Sequence, residues 1–117
     1  MPSWVSRNVG LNQSVNYMVI HPKTRGLASQ NHILLAATDG GIYSSSNGGR
    51  QWAQIVLPDP TGGGATISEL TFHWVEYNPL NNNIVFALGV KSSAGQLWLY
   101  KSSDNLLTWT SRLVATS

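Results

Sequence analysis

The chain contains no cysteine, which excludes disulfides, thiolate chemistry and zinc–thiolate sites together. Charge is also scarce. Lys and Arg number 7, Asp and Glu 5, and charged residues make up 10% of the chain, against roughly 25% in an average soluble domain. The basic residues Arg7, Lys23, Arg25, Arg50, Lys91, Lys101 and Arg112 are scattered. No basic run or stripe forms, so the sequence carries no nucleic-acid footprint. No apolar run approaches the roughly 18 residues of a membrane span. The start, Met1-Pro2-Ser3-Trp4-Val5-Ser6-Arg7, lacks the apolar centre of a signal peptide. Convincing helical periodicity is missing as well.

What is present is a repeat. Tyr43-Ser44-Ser45-Ser46-Asn47-Gly48-Gly49-Arg50-Gln51-Trp52 returns, altered, as Tyr100-Lys101-Ser102-Ser103-Asp104-Asn105-Leu106-Leu107-Thr108-Trp109. Tyr43 and Tyr100, and Trp52 and Trp109, stand 57 positions apart. His21-Pro22 and Asn78-Pro79 keep the same spacing. Trp4-Val5-Ser6-Arg7 resembles Trp109-Thr110-Ser111-Arg112, so a partial third copy opens the chain.

Within each copy, short β-branched and aromatic runs alternate with turn residues, which predicts strands. The first set is Val15 to Ile20, His32 to Thr38, Gly41 to Ser46 and Gln51 to Leu57, with Asp39-Gly40 as a tight hairpin and Lys23 to Asn31 as a loop. The second is Leu70 to Tyr77, Ile84 to Gly89, Gln96 to Ser102 and Leu107 to Val114, with a turn at Asn81-Asn82-Asn83. The expected fold class is all-β: two four-stranded antiparallel propeller blades plus an extra N-terminal strand. Residues 1–14 would be outer strand and turn, 15–57 blade one, 58–68 a Pro- and Gly-rich linker, and 69–117 blade two.

The repeated decapeptides resemble the Asp-box, or BNR repeat, with consensus Ser-x-Asp-x-Gly-x-Thr-Trp. The second copy carries Ser102, Asp104, Thr108 and Trp109 in register, with Leu106 where Gly is expected. The first carries Ser45, Gly49 and Trp52, with Asn47 in place of Asp and Gln51 in place of Thr. The flanking order, with Trp4, Asn8-Val9-Gly10-Leu11, His21-Pro22 and Ala37-Thr38-Asp39-Gly40-Gly41-Ile42-Tyr43 before the box, is also similar to these propellers, and the resemblance covers nearly the whole chain. The family it implies includes sialidases, xyloglucan-cleaving glycosidases, sortilin-type receptors and photosystem II assembly factors, so the resemblance implies architecture and leaves activity open. Turn chemistry explains the box itself. Asp or Asn accepts backbone N–H groups of its own turn, Gly supplies positive φ, and Trp covers the hairpin. Ser45, Asn47, Gly49, Trp52, Ser102, Asp104, Thr108 and Trp109 are therefore read as structural.

Signs of catalysis are few, and no catalytic residue, metal ligand or cofactor is assigned. Asp39 and Asp104 belong to turns. Glu76 sits in an innermost strand, and no second acid, whether Glu69 or Asp59, is placed to form the pair a glycosidase needs. His21, His32 and His73 lack metal-ligand spacing, and Gly62-Gly63-Gly64 is followed by no Lys-Ser/Thr pair. Trp74, Trp98, Tyr77 and Tyr100 read as core between blades, with an exposed Trp74 or Trp98 able to stack on a sugar. In a four-strand meander the inter-blade connection and the loop between the second and third strands share one side. Both are elongated around blade two, so Asp59, Thr61, Thr66, Lys91, Ser92 and Gln96 are the candidate ligand contacts.

Two blades do not close a propeller, which usually needs four to eight. The expected partners are neighbouring blades of a longer chain, identical chains, or another component of a particle, with a glycan or protein as ligand, no nucleic acid and no membrane insertion. The functional expectation is a non-catalytic binding or scaffold module, extracellular or on a particle surface. The alternatives are a structural protein of a virion or extracellular assembly, and a fragment of an Asp-box glycoside hydrolase.

Overall fold

The computed structural model describes residues 14–55, 57, 70–91 and 95–116. Eight strands run in chain order: β1 (Val15–Ile20), β2 (Leu34–Thr38), β3 (Gly41–Ser45), β4 (Ala53–Ile55), β5 (Leu70–Asn78), β6 (Asn81–Lys91), β7 (Gln96–Ser102) and β8 (Thr110–Thr116). They form two antiparallel meanders, β1-β2-β3-β4 and β5-β6-β7-β8. Residues 1–13, which hold the expected opening strand, and the segment 58–69 lie outside the described residues.

The strand ends differ from the sequence expectation in instructive ways. β4 keeps only three residues, Ala53–Ile55, of the expected Gln51 to Leu57. β6 starts at Asn81, so the turn is Pro79-Leu80 rather than the three asparagines. The expected loop from Lys23 to Asn31 contains two 3-10 turns, Pro22–Thr24 and Ser29–Asn31. Pro22 fits the first of these, since its missing N–H and fixed φ suit the start of a helical turn. The His21 ring accepts from the Lys23 N–H at 3.1 Å, and the Asn78 side chain accepts from the Leu80 N–H at 2.8 Å. Imidazole and amide thus make the same bond at the same repeat position.

The two sheets share one core. Leu35, Ala37 and Ile42 of the first sheet pack with Phe72, Val75, Tyr77, Val85, Ala87 and Tyr100 of the second. β5 lies against β1, β2 and β3. The junction is stitched by Asn16, whose Nδ2 donates to Asp39 Oδ1 and to the Phe72 carbonyl, both at 2.9 Å. A β-bulge between Phe72 and Trp74 decides which aromatic faces the junction. It puts Phe72 in the shared core and turns Trp74 to the other face, while Trp98 packs against that core. Of the four aromatics expected between the blades, Tyr77, Tyr100 and Trp98 are there and Trp74 is not.

Candidate functional site

Two repeated turns sit at one end of the sheets and are built alike. In the first, the Ser45 hydroxyl donates to Asn47 Oδ1 at 3.0 Å and accepts the Gly49 N–H at 2.9 Å. Asn47 Oδ1 also accepts the Gln51 N–H at 3.0 Å, and the Trp52 indole N–H donates to the Gly49 carbonyl at 3.0 Å. In the second, the Ser102 hydroxyl donates to Asp104 Oδ1 and accepts the Leu106 N–H, both at 3.0 Å. Asp104 Oδ1 accepts the Thr108 N–H at 2.8 Å, and its Oδ2 accepts the Thr108 hydroxyl. The turns are tied to their own sheets by Gly48 N–H to the His32 carbonyl and Asn105 N–H to the Asn83 carbonyl, each 3.0 Å.

The first turn satisfies its left-handed positions with Gly48 (φ 73°) and Gly49 (φ 93°). The second places Asn105 (φ 58°) and Leu106 (φ 74°) in the same conformations. Asn tolerates this region; Leu costs about 1–2 kcal/mol there. Leu106 offsets the cost by packing against the shared core. The Thr108 hydroxyl and N–H, with Ser102 adding to them, hold the exposed Asp104 carboxyl below the usual carboxylate range.

Packing of the two sheets leaves a cleft of about 430 Å³ beside these turns. Its walls are His21 and Ile33, the stretch Ser44–Asn47, Gln51–Ala53, and from the second sheet Tyr77, Asn105 and Leu106. The His21 and Tyr77 rings meet edge-on, with centroids 4.7 Å apart. Burial, followed by the Lys23 charge, lowers the His21 pKa, so the ring is neutral at pH 7. Its Nδ1 accepts the Lys23 N–H, which leaves the proton of the neutral ring on Nε2 as a donor. Asn47 Nδ2 donates to Gln51 Oε1 at 3.3 Å, aligning two amides at the rim. Every side chain of the wall is uncharged at neutral pH.

Tyr77 has a buried hydroxyl with no hydrogen-bond partner, and burial pushes its pKa from 10.0 up to about 12. A raised folded-state value means that this stability is fully present below pH 10 and is lost as pH climbs toward 12. Tyr77→Phe is expected to remove that alkaline loss and to leave stability at pH 7 equal or higher, since it deletes an unsatisfied polar group. Thermal unfolding of both proteins across pH 7–12 checks this.

Of the six ligand contacts expected from loop length, two are among the described residues, Lys91 and Gln96. Asp59, Thr61, Thr66 and Ser92 fall outside the described residues. Lys91 and Gln96 face each other as the last pair of the β6–β7 hairpin, at the end of the sheet away from the cleft. Gln96 Oε1 accepts the Trp98 indole N–H at 3.1 Å, so that amide is tied within its strand. Glu76 is half-buried on the sheet face opposite the shared core. Among the described residues no group of three or more His, Cys, Asp or Glu gathers as metal ligands.

Two four-stranded antiparallel meanders, joined through a common apolar face, are blades of the β-propeller type. The structure is similar to the crystal structure of an ancestral GH74 enzyme, with a TM-score of 0.61 and 16% sequence identity. The match covers 88% of this chain and 13% of that one, so the chain spans about an eighth of the length of the protein it resembles. At this identity the likeness shows the fold alone. No protein-family profile matches the sequence, and no curated protein matches it.

Proposed function

We propose that this chain is a non-catalytic binding and scaffold module, an Asp-box blade pair that holds a neutral glycan in the cleft between its repeated turns. The observation that carries the reading is the wall chemistry: imidazole, hydroxyl and amide groups beside aromatic rings, without charge. Sugar hydroxyls both donate and accept, so such a wall pairs with them without stripping water from an ion. The volume lies within the range of small-ligand sites. The module would work outside the cell or on a particle surface, where a charge-poor coat of Ser, Asn, Gln and Gly is well suited.

A panel of neutral and acidic glycans probed with the intact chain tests this. Neutral oligosaccharides are expected to bind, and Gln51→Ala, on an exposed rim residue, to weaken binding about tenfold, or about 1.4 kcal/mol. Absence of binding, or binding restricted to acidic glycans, overturns the proposal.

The likeness to a stretch of a GH74 enzyme favours a second reading, in which the chain is a piece of an Asp-box glycoside hydrolase whose catalytic acids lie on other blades. Hydrolysis by a longer protein containing this chain would favour that reading over a pure binding role.

A further inference from the structure

The blade-to-blade junction has two sides, and the chain displays one of them twice. Blade one turns Leu35, Ala37 and Ile42 toward blade two, and all three are fully buried. Strand register identifies their counterparts. Leu34 pairs with Ser45 as Val85 pairs with Ser102. Phe86, Leu88 and Leu99 therefore repeat Leu35, Ala37 and Ile42, on the face of blade two that points away from blade one. There they are only half-buried. Trp74 joins Leu88 and Leu99 in one cross-strand row that ends at exposed Arg112. The next row runs from Glu76 through Phe86 to exposed Lys101. The face is an apolar strip with an acid on its inner strand and two bases on its outer strands.

A blade covering this face in the manner seen within the chain would present the counterparts of Val85, Ala87 and Tyr100. On blade one those are Leu34, Ala36 and Tyr43, and they are already buried. A second copy therefore has no free surface of that kind to offer, but it does have the far face of its own blade two. A two-fold axis parallel to the strands lays the inner strand of each copy over the outer strands of the other. Glu76 of each copy then faces the Lys101 and Arg112 side of its partner, twice. Such an isologous contact is self-complementary in both apolar area and charge.

We propose that the chain pairs with a second copy through the far face of blade two, with Leu88 and Leu99 at the centre and the Glu76-to-cation contacts at both edges. This pairing is independent of the glycan reading. Light scattering and sedimentation of the intact chain across a wide concentration range test it. The expected mass rises from 12.7 kDa to twice that value and stops there. Leu99→Lys is expected to hold the chain at the monomer mass with unchanged circular dichroism. Should that variant fail to fold, Glu76→Lys still decides the matter. It should weaken pairing at least tenfold, and adding Lys101→Glu and Arg112→Glu to it should restore pairing. A monomer at every concentration, a ring or open polymer, or a dimer indifferent to Leu99→Lys and Glu76→Lys overturns the proposal.

Discussion

Phe72→Ala is expected to destabilise the chain by about 3–5 kcal/mol, a large share of the roughly 5–15 kcal/mol available to a typical domain. Phe72 is fully buried in the shared core. Its ring meets Tyr100 edge-on, with centroids 5.5 Å apart. Its carbonyl takes one of the two Asn16 bonds that stitch the junction. Truncation therefore removes ring burial, an aromatic pair and support beneath a bridging amide. Because the core belongs to both sheets, the loss should not stay in blade two. Amide exchange at Leu35 and Ala37 of blade one should quicken along with that at Val75 and Ala87. Urea unfolding gives the magnitude and hydrogen exchange gives the distribution. A change confined to blade two would mean that the blades fold separately.

Gly89→Ala should cost about 1–3 kcal/mol, the range for overpacking a filled core. The sign is the informative part. A Gly-to-Ala change at an unstrained strand position ordinarily stabilises by about 0.4–1 kcal/mol through the unfolded chain. Here an added Cβ would lie 2.9, 3.1 and 3.2 Å from Cε2, Cζ and Cδ2 of Phe72. That ring is fully buried and meets Tyr100 edge-on, which limits its room to shift. The missing side chain of Gly89 is the space the ring fills. Phe72→Leu shortens the ring side and makes room, so the double variant should be more stable than the sum of the two single changes by about 0.5–3 kcal/mol. Additive losses in chemical denaturation would contradict the direct contact.

Much of the architecture was legible because it rests on local signals. Alternating apolar residues and Asx or Gly turns gave eight strands, two of them, Val15–Ile20 and Gln96–Ser102, with the observed ends. The 57-residue spacing gave the two sheets. The bulge was not legible. Phe72 and Trp74 are two apart and would share a face in a regular strand, and only the ladder shows that they do not. The cleft was missed for a related reason. Loop length points to the inter-blade connection 58–68 and to the loop between β6 and β7, whereas the cleft arises where two short turns, distant in sequence, are brought together by sheet packing. Leu106 was the one available hint. A bulky residue at a glycine position asks what it packs against, and the answer is the wall of that cleft and the shared core.

The central claim is that the junction between the blades is a neutral binding site. Nuclear magnetic resonance titration of the intact chain with neutral oligosaccharides tests it most directly, with the Trp52 indole and the Asn47, Gln51 and Asn105 side-chain amides as reporters. The account predicts saturable shifts concentrated on these groups and on His21, weaker below the pKa of that ring, where the wall becomes charged. Shifts gathered instead at Lys91 and Gln96, or no shifts with any neutral sugar while the fold stays intact, would contradict it.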